Sequence, residues 1–292
     1  MTPPALSTTT EPPVFELGTL KIPPAAGLEQ NEVLPFSIAN LKKAVANHLR
    51  AHDGDDTQLW IVFSGFDCAK LKYIDQLRLP VRLQVDDSKL IVKMVNRVHE
   101  LMHRGLMGVI QRDLGRMGLW CNEDFIDVGS TRCEHRLSNS SKQADSALAL
   151  ICTQPWPAIV IEVGWAETLA RLHIDAQWWF SAQLHPNNTT LVVLVSFSRP
   201  ERTFRLEKYE LIAAPGRVVT RSAPLGVRNL AMCTGFATID LRSTPPIITG
   251  APFILPFAGI LRRPPIAPER DVSMSAAELE TWATAIARAW NL

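Results

Sequence analysis

The sequence has no CxxC pair. Its five cysteines (Cys68, Cys121, Cys133, Cys152 and Cys233) are odd in number and scattered. This pattern reads as free thiols in a reducing compartment, not as a disulfide framework. Long apolar runs are missing too: none approaches the ~20 uncharged residues that cross a bilayer. The N-terminus, Met1-Thr-Pro-Pro-Ala-Leu-Ser-Thr, has no basic segment leading into an apolar one. The expectation is an intracellular protein, nuclear or cytoplasmic, with no membrane partner. Neither sign of charge dominates, since 30 Lys and Arg face 29 Asp and Glu for a net charge of +1. Non-specific nucleic-acid binders are more often basic, so contact with DNA or RNA would need a local patch. A Gly-rich phosphate-cradling loop and a GxSxG elbow are also absent, which removes two common enzyme classes.

What is present describes an ordinary globular chain. Its 292 residues, 47% of them apolar and 20% charged, suffice to bury a sizeable core. Residues 1–30 are rich in Pro and Thr and are expected to form a disordered or loosely attached tail. Residues 31–292 read as one domain, with a core at about 89–212 and a C-terminal extension at 213–292. Periodicity predicts helices over Phe36 to Leu49, Asn96 to Met117 and Ala166 to Ala182, and a terminal helix opened by the capping box Ser275-Ala-Ala-Glu278. Strands are expected at Leu59 to Phe63, Val81 to Val85, Lys89 to Met94, Ala158 to Val163, Leu191 to Phe197 and Thr203 to Ile212. Ser138 to Lys142 reads as a polar loop.

Two carboxylates draw the eye. Glu162 stands near the end of an apolar strand, and Asp145 precedes the apolar run Ala147 to Cys152. Acids on neighbouring strands can hold a divalent metal. Around them lie Gly129-Ser-Thr-Arg132, Ala144-Asp145-Ser, Trp156-Pro-x-x-Val-Ile-Glu162-Val-Gly164, Glu167 and Asp175-Ala-x-Trp178-Trp179. These residues resemble a group of fungal proteins regarded as divergent members of the PD-(D/E)XK nuclease superfamily. The resemblance covers roughly residues 85–292 and is strongest from Gly129 to Phe180.

The resemblance implies an α/β fold of the restriction-endonuclease-like kind, a mixed central sheet flanked by helices, with additions at both ends. It implies Asp145 and Glu162 as ligands for Mg²⁺ or Mn²⁺, Glu100 as a third acid from the preceding helix, and DNA or RNA as substrate or partner. The motif lysine is replaced by Gly164. Arg132, Lys142 or Arg171 would have to supply the basic group, and an arginine stabilises charge but makes a poor base. Without that group the chain reads as a degenerate or weak nuclease, or as a scaffold for a protein partner.

A second constellation competes. His99-Glu100-Leu-Met-His103 matches HExxH, in which two histidines one turn apart bind Zn²⁺ and the glutamate activates water. Glu123 follows at a spacing that fits a third ligand of a metallopeptidase. An unbroken helix from Val98 to Met117 would carry the chain ~20 Å past His103 and keep Glu123 away, unless Gly105 or Gly108 breaks it. The tryptophans at 156, 165, 178 and 179 read as core filling where a helix crosses a sheet.

Overall fold

The computed structural model describes residues 15–16, 25, 28, 31, 33–51, 60–135, 138–151, 156–165, 169–181, 189–213 and 229–290. The first part of the chain gives β1 (Phe15–Glu16), β2 (Val33–Pro35), α1 (Ile38–Ala51), β3 (Trp60–Ser64), α2 (Leu71–Gln76), β4 (Val81–Asp86) and β5 (Lys89–Met94). The middle gives α3 (Arg97–Arg116), β6 (Phe125–Asp127), β7 (Arg132–Glu134), β8 (Ser140–Gln143), β9 (Ser146–Leu150), β10 (Ile159–Gly164) and α4 (Leu169–Ser181). The rest runs through β11 (Leu191–Ser198), β12 (Thr203–Ala213), β13 (Asn229–Asp240), β14 (Ile247–Thr249), β15 (Phe253–Leu255), α5 (Phe257–Leu261), β16 (Val272–Met274) and α6 (Ala276–Trp290).

The fold is α/β, with mixed sheets. The larger sheet has the order β1-β13-β12-β11-β10-β9-β6, with β14 added to β13. Within it β9 and β10 are antiparallel, whereas β10 and β11 are parallel and joined through α4. The smaller sheet has the order β2-β3-β5-β4-β8-β7. The chain therefore changes sheets between β8 and β9.

Strand alternation explains the layers. Ile159, Ile161 and Val163 face one way and pack with α3 and α6. Val160, Val192 and Leu194 face the other way and pack with α4, among Leu172, Ala176, Trp178 and Trp179. The tryptophans are core, as their spacing suggested, with Trp165, Trp178 and Trp179 at most 1% exposed.

α3 begins at the N-cap Asn96, whose side chain accepts from His99 N at 2.8 Å. It runs unbroken through both glycines. Gly105 instead makes room for Trp282 of α6, since a Cβ there would stand 3.0 Å from the indole. The capping box at α6 forms in both directions: Ser275 N donates to Glu278 Oε2 at 3.0 Å and Glu278 N donates to Ser275 Oγ at 3.3 Å.

One expectation needs correction. Ser140–Gln143 is a strand, not a loop. Within 1–30, Phe15–Glu16 pairs with β13, and Leu28 is buried beside Trp60, Val62 and Ile91. The other residues of the expected tail, and Glu167, lie outside the described residues.

Candidate functional site

Asp145 sits at the step between the two sheets. β8 ends at Gln143 in the smaller one, and β9 begins at Ser146 in the larger. Val163 N donates to Asp145 Oδ2 at 2.8 Å, which ties the carboxylate to the end of β10. Lys93 Nζ, from β5, donates to the same oxygen at 2.9 Å and to Val163 O at 2.8 Å. His99 Nε2, from the first turn of α3, stands 3.0 Å from Oδ2. Arg82 Nε, from β4, lies 3.8 Å from Oδ1. Asp145 is 2% exposed and Lys93 1%.

Glu162 is buried as deeply, at 1%, but its partners differ. It shares the strand face of Val160, which packs against α4. Trp179 Nε1 donates to Glu162 Oε1 at 2.6 Å, and Lys142 Nζ stands 3.0 Å from that oxygen. Lys142 also pairs with Asp175 at 2.5 Å. Arg171 closes the group, with its NH2 nitrogen 3.2 Å from Asp175 and 3.0 Å from Gln84 Oε1. Its guanidinium stacks 4.8 Å over the ring of Trp60.

A charged seam thus runs where the two sheets meet. Arg82, Lys93, Lys142 and Arg171 face Glu100, Asp145, Glu162 and Asp175. Every strongly buried member depends on its partner, because a lone ion in this setting costs several kcal/mol. The protonation states follow. Burial works to raise the Asp145 carboxyl, but His99 and Lys93 outweigh it and hold it well below the ordinary range. Burial lowers His99 to about 4, against the pull of Asp145, so the ring is neutral at pH 7. Burial raises Glu162 to about 8, in spite of Lys142. Burial would also raise Asp175, yet Arg171 and Lys142 leave it lowered.

Asp145 and Glu162 are not open to a Mg²⁺ or Mn²⁺ ion in this arrangement. A divalent ion needs open carboxylate oxygens and space for waters. Here an ammonium already stands against one oxygen of each carboxylate, Asp145 Oδ2 and Glu162 Oε1, while Asp145 Oδ1 is buried without a hydrogen-bond partner among the described residues. Glu100 joins neither of them directly. It binds Arg82 at 2.7 Å and Arg104 at 2.8 Å, and Arg82 links it to Asp145.

Of the basic groups expected to replace the missing lysine, Lys142 does reach Glu162. Arg132 does not: it pairs with Asp75 at 2.6 Å and reaches Leu83 O and Ser141 Oγ from β7. The cation on Asp145 is Lys93, which sequence reasoning missed. Its signal was a single lysine inside the apolar run Leu90-Ile-Val-Lys93-Met94. Asp175 lies among the motif residues, and the sequence alone assigns it no role.

The zinc-protease ligand set does not assemble. Glu123 lies in an exposed turn after α3, its N donating to Trp120 O at 3.2 Å. It is absent from the one group of candidate ligand atoms among the described residues, His99, Glu100 and His103, which lie within 4.8 Å of one another.

No protein-family model matches the chain, and no curated protein matches it. The motif likeness therefore stands on its own residues.

Proposed function

We propose that the chain has a restriction-endonuclease-like core and is a degenerate member of the PD-(D/E)XK superfamily, one that binds nucleic acid without cutting it efficiently. The fold part draws support from the order of elements. Helix α3 comes first, then antiparallel β9 and β10 beside Asp145 and with Glu162, then α4 crossing over to parallel β11. The choice of nucleic acid as ligand comes from the motif likeness. One observation carries the loss of efficient cleavage: the two motif carboxylates are 1–2% exposed, and each is closed by its own lysine. A phosphodiester and its metal would have to displace Lys93 and Lys142 to reach them.

A weak Mg²⁺- or Mn²⁺-dependent nuclease is the second reading, and Lys93 favours it. Its ammonium bridges Asp145 and Val163 O, so a lysine stands beside the motif although position 164 is glycine. The free thiols at Cys68, Cys121, Cys133 and Cys233 suit an intracellular site of action, nuclear or cytoplasmic. No described helix is long and apolar enough to cross a membrane.

The test is to incubate the full chain with labelled single- and double-stranded DNA and RNA in Mg²⁺ or Mn²⁺, beside Asp145→Asn. Retarded but intact strands support the proposal. Cleavage that disappears in the variant overturns it in favour of the weak nuclease. Neither retardation nor cleavage overturns it in favour of a protein-interaction scaffold.

A further inference from the structure

The first two turns of α3 bring together three atoms that carry lone pairs. His103 Nε2 lies 3.3 Å from Glu100 Oε1, and His99 Nδ1 lies 4.0 Å from the same oxygen. Both rings are 1% exposed. His99 Nε2 faces Asp145 Oδ2 at 3.0 Å without hydrogen-bond geometry, and His103 Nδ1 meets Ser146 Oγ at 2.8 Å. A proton on each of those nitrogens leaves His99 Nδ1 and His103 Nε2 as bare acceptors, both turned toward a carboxylate oxygen. His99 Nδ1 has no hydrogen-bond partner among the described residues, and His103 Nε2 lacks hydrogen-bond geometry toward Glu100. Those two nitrogens and Glu100 Oε1, which already accepts from Arg82 at 2.7 Å, then converge as three acceptors that repel one another. A cation between them removes that repulsion.

We propose that His99 Nδ1, His103 Nε2 and Glu100 Oε1 form a binding site for a divalent, imidazole-preferring cation such as Zn²⁺. Tetrahedral zinc with bonds of ~2.0–2.1 Å sets its ligand atoms about 3.3 Å apart. The His103–Glu100 spacing already has that value, the His99–Glu100 spacing is wider at 4.0 Å, and the ligand atoms of the three residues lie within 4.8 Å of one another. Asp145 and Ser146 supply the outer hydrogen bonds that fix ring orientation in metal-bound histidines. Asp145 thus has a role that needs no open carboxylate: it holds a ligand ring instead of holding the metal. Two nitrogens and one oxygen favour zinc-like ions over Mg²⁺, which prefers an all-oxygen shell. Glu100 is 26% exposed, so its side gives the ion a way in and leaves a fourth position for water. Arg82 shares Glu100 Oε1 at 2.7 Å, and the second lone pair of that oxygen stays free for the ion.

This ligand set differs from the metallopeptidase reading, because Glu100 binds the ion and Glu123 takes no part. It is also separate from the nucleic-acid proposal, because metal binding here requires no nuclease fold or activity.

The experiment is calorimetric titration of the metal-stripped full chain with Zn²⁺, with Mg²⁺ as a control and Co²⁺ absorption as a report on geometry. The expected result is one Zn²⁺ per chain, a tetrahedral Co²⁺ spectrum, and no Mg²⁺ binding at the same concentrations. Glu100→Gln and His103→Asn should weaken Zn²⁺ at least about 100-fold, and Ser146→Ala about 10-fold. Glu100→Gln changes a partly exposed side chain and keeps its shape, so it remains informative where a buried histidine variant fails to fold. Zn²⁺ binding unchanged in Glu100→Gln overturns the site, as does the absence of stoichiometric binding to the wild-type chain.

Discussion

Replacing Asp145 with asparagine separates two ideas of the seam by the sign of a stability change. In a metal site built for catalysis, acids crowd together and repel, so neutralising one stabilises the empty protein. Here Asp145 accepts from Lys93 Nζ at 2.9 Å and Val163 N at 2.8 Å, with His99 Nε2 3.0 Å away. Removing its charge leaves the Lys93 ammonium 1% exposed and short of its carboxylate. Breaking a buried pair from one side costs about 3–5 kcal/mol, so Asp145→Asn is expected to destabilise by that amount. Lys93→Met should cost a similar amount, because it strands the carboxylate instead. The double variant removes both charges together and should be less destabilised than the sum by about 1–3 kcal/mol. Urea denaturation followed by tryptophan fluorescence measures all four proteins, with the midpoint as readout and a constant m as the condition for comparing them. A midpoint for Asp145→Asn at or above that of the wild type would refute the ion-pair account of the seam.

Other outcomes follow from single contacts. Trp179→Phe removes the indole N–H at 2.6 Å from Glu162 Oε1 and should cost about 1–3 kcal/mol in the same denaturation assay. Gly250→Ala should cost about 3 kcal/mol or more, because the residue has φ +75° and its Cβ would stand 2.2 Å from Phe236 O; the melting temperature checks it. The pH profile should have two limbs. Glu162 is raised to about 8, so between about 4.5 and 8 the folded state holds a proton that the unfolded state has lost; His99, lowered to about 4, offsets this up to about 6.5, so stability falls as pH rises from about 6.5 to 8. Asp175 is lowered, so its contribution is present above the unfolded value and is lost as pH falls through the folded one. Maximum stability on the acid side of neutrality, in midpoints measured across pH, is the expected result; a maximum at pH 8 or above would contradict it.

The parts legible in the sequence were those whose burial is apolar. The helix from Asn96, the strand ending at Gly164 and the capping box at Ser275 all carry a periodic hydrophobic signal or a local hydrogen-bond code, and each forms where expected. Ser140–Gln143 carried neither. Its sequence, Ser-Ser-Lys-Gln, looks solvated, yet Ser140, Ser141 and Lys142 are buried. Their polar groups are satisfied across the fold: Trp178 Nε1 donates to Ser140 Oγ at 3.1 Å, and Lys142 meets Glu162 and Asp175. Alternation cannot mark a strand whose inward side chains are polar and find partners far along the chain. Lys93 was hidden for the same reason, since 52 residues separate it from Asp145.

The geometry of β10 also bears on the glycine at position 164. Residues 162 and 164 point to the same face of the strand. On that face Lys142 already stands against Glu162, and the donated proton of Trp179 takes the same oxygen. A lysine at 164 would bring another cation to a carboxylate that is already neutralised. Asp145, meanwhile, receives its ammonium from Lys93 on the other sheet. The lysines that pair with these two acids stand on β5 and β8, both in the smaller sheet. Each lysine now ties that sheet to an acid at or next to the larger one. That placement makes the acidic pair a joint between sheets, with each acid paired although position 164 is glycine.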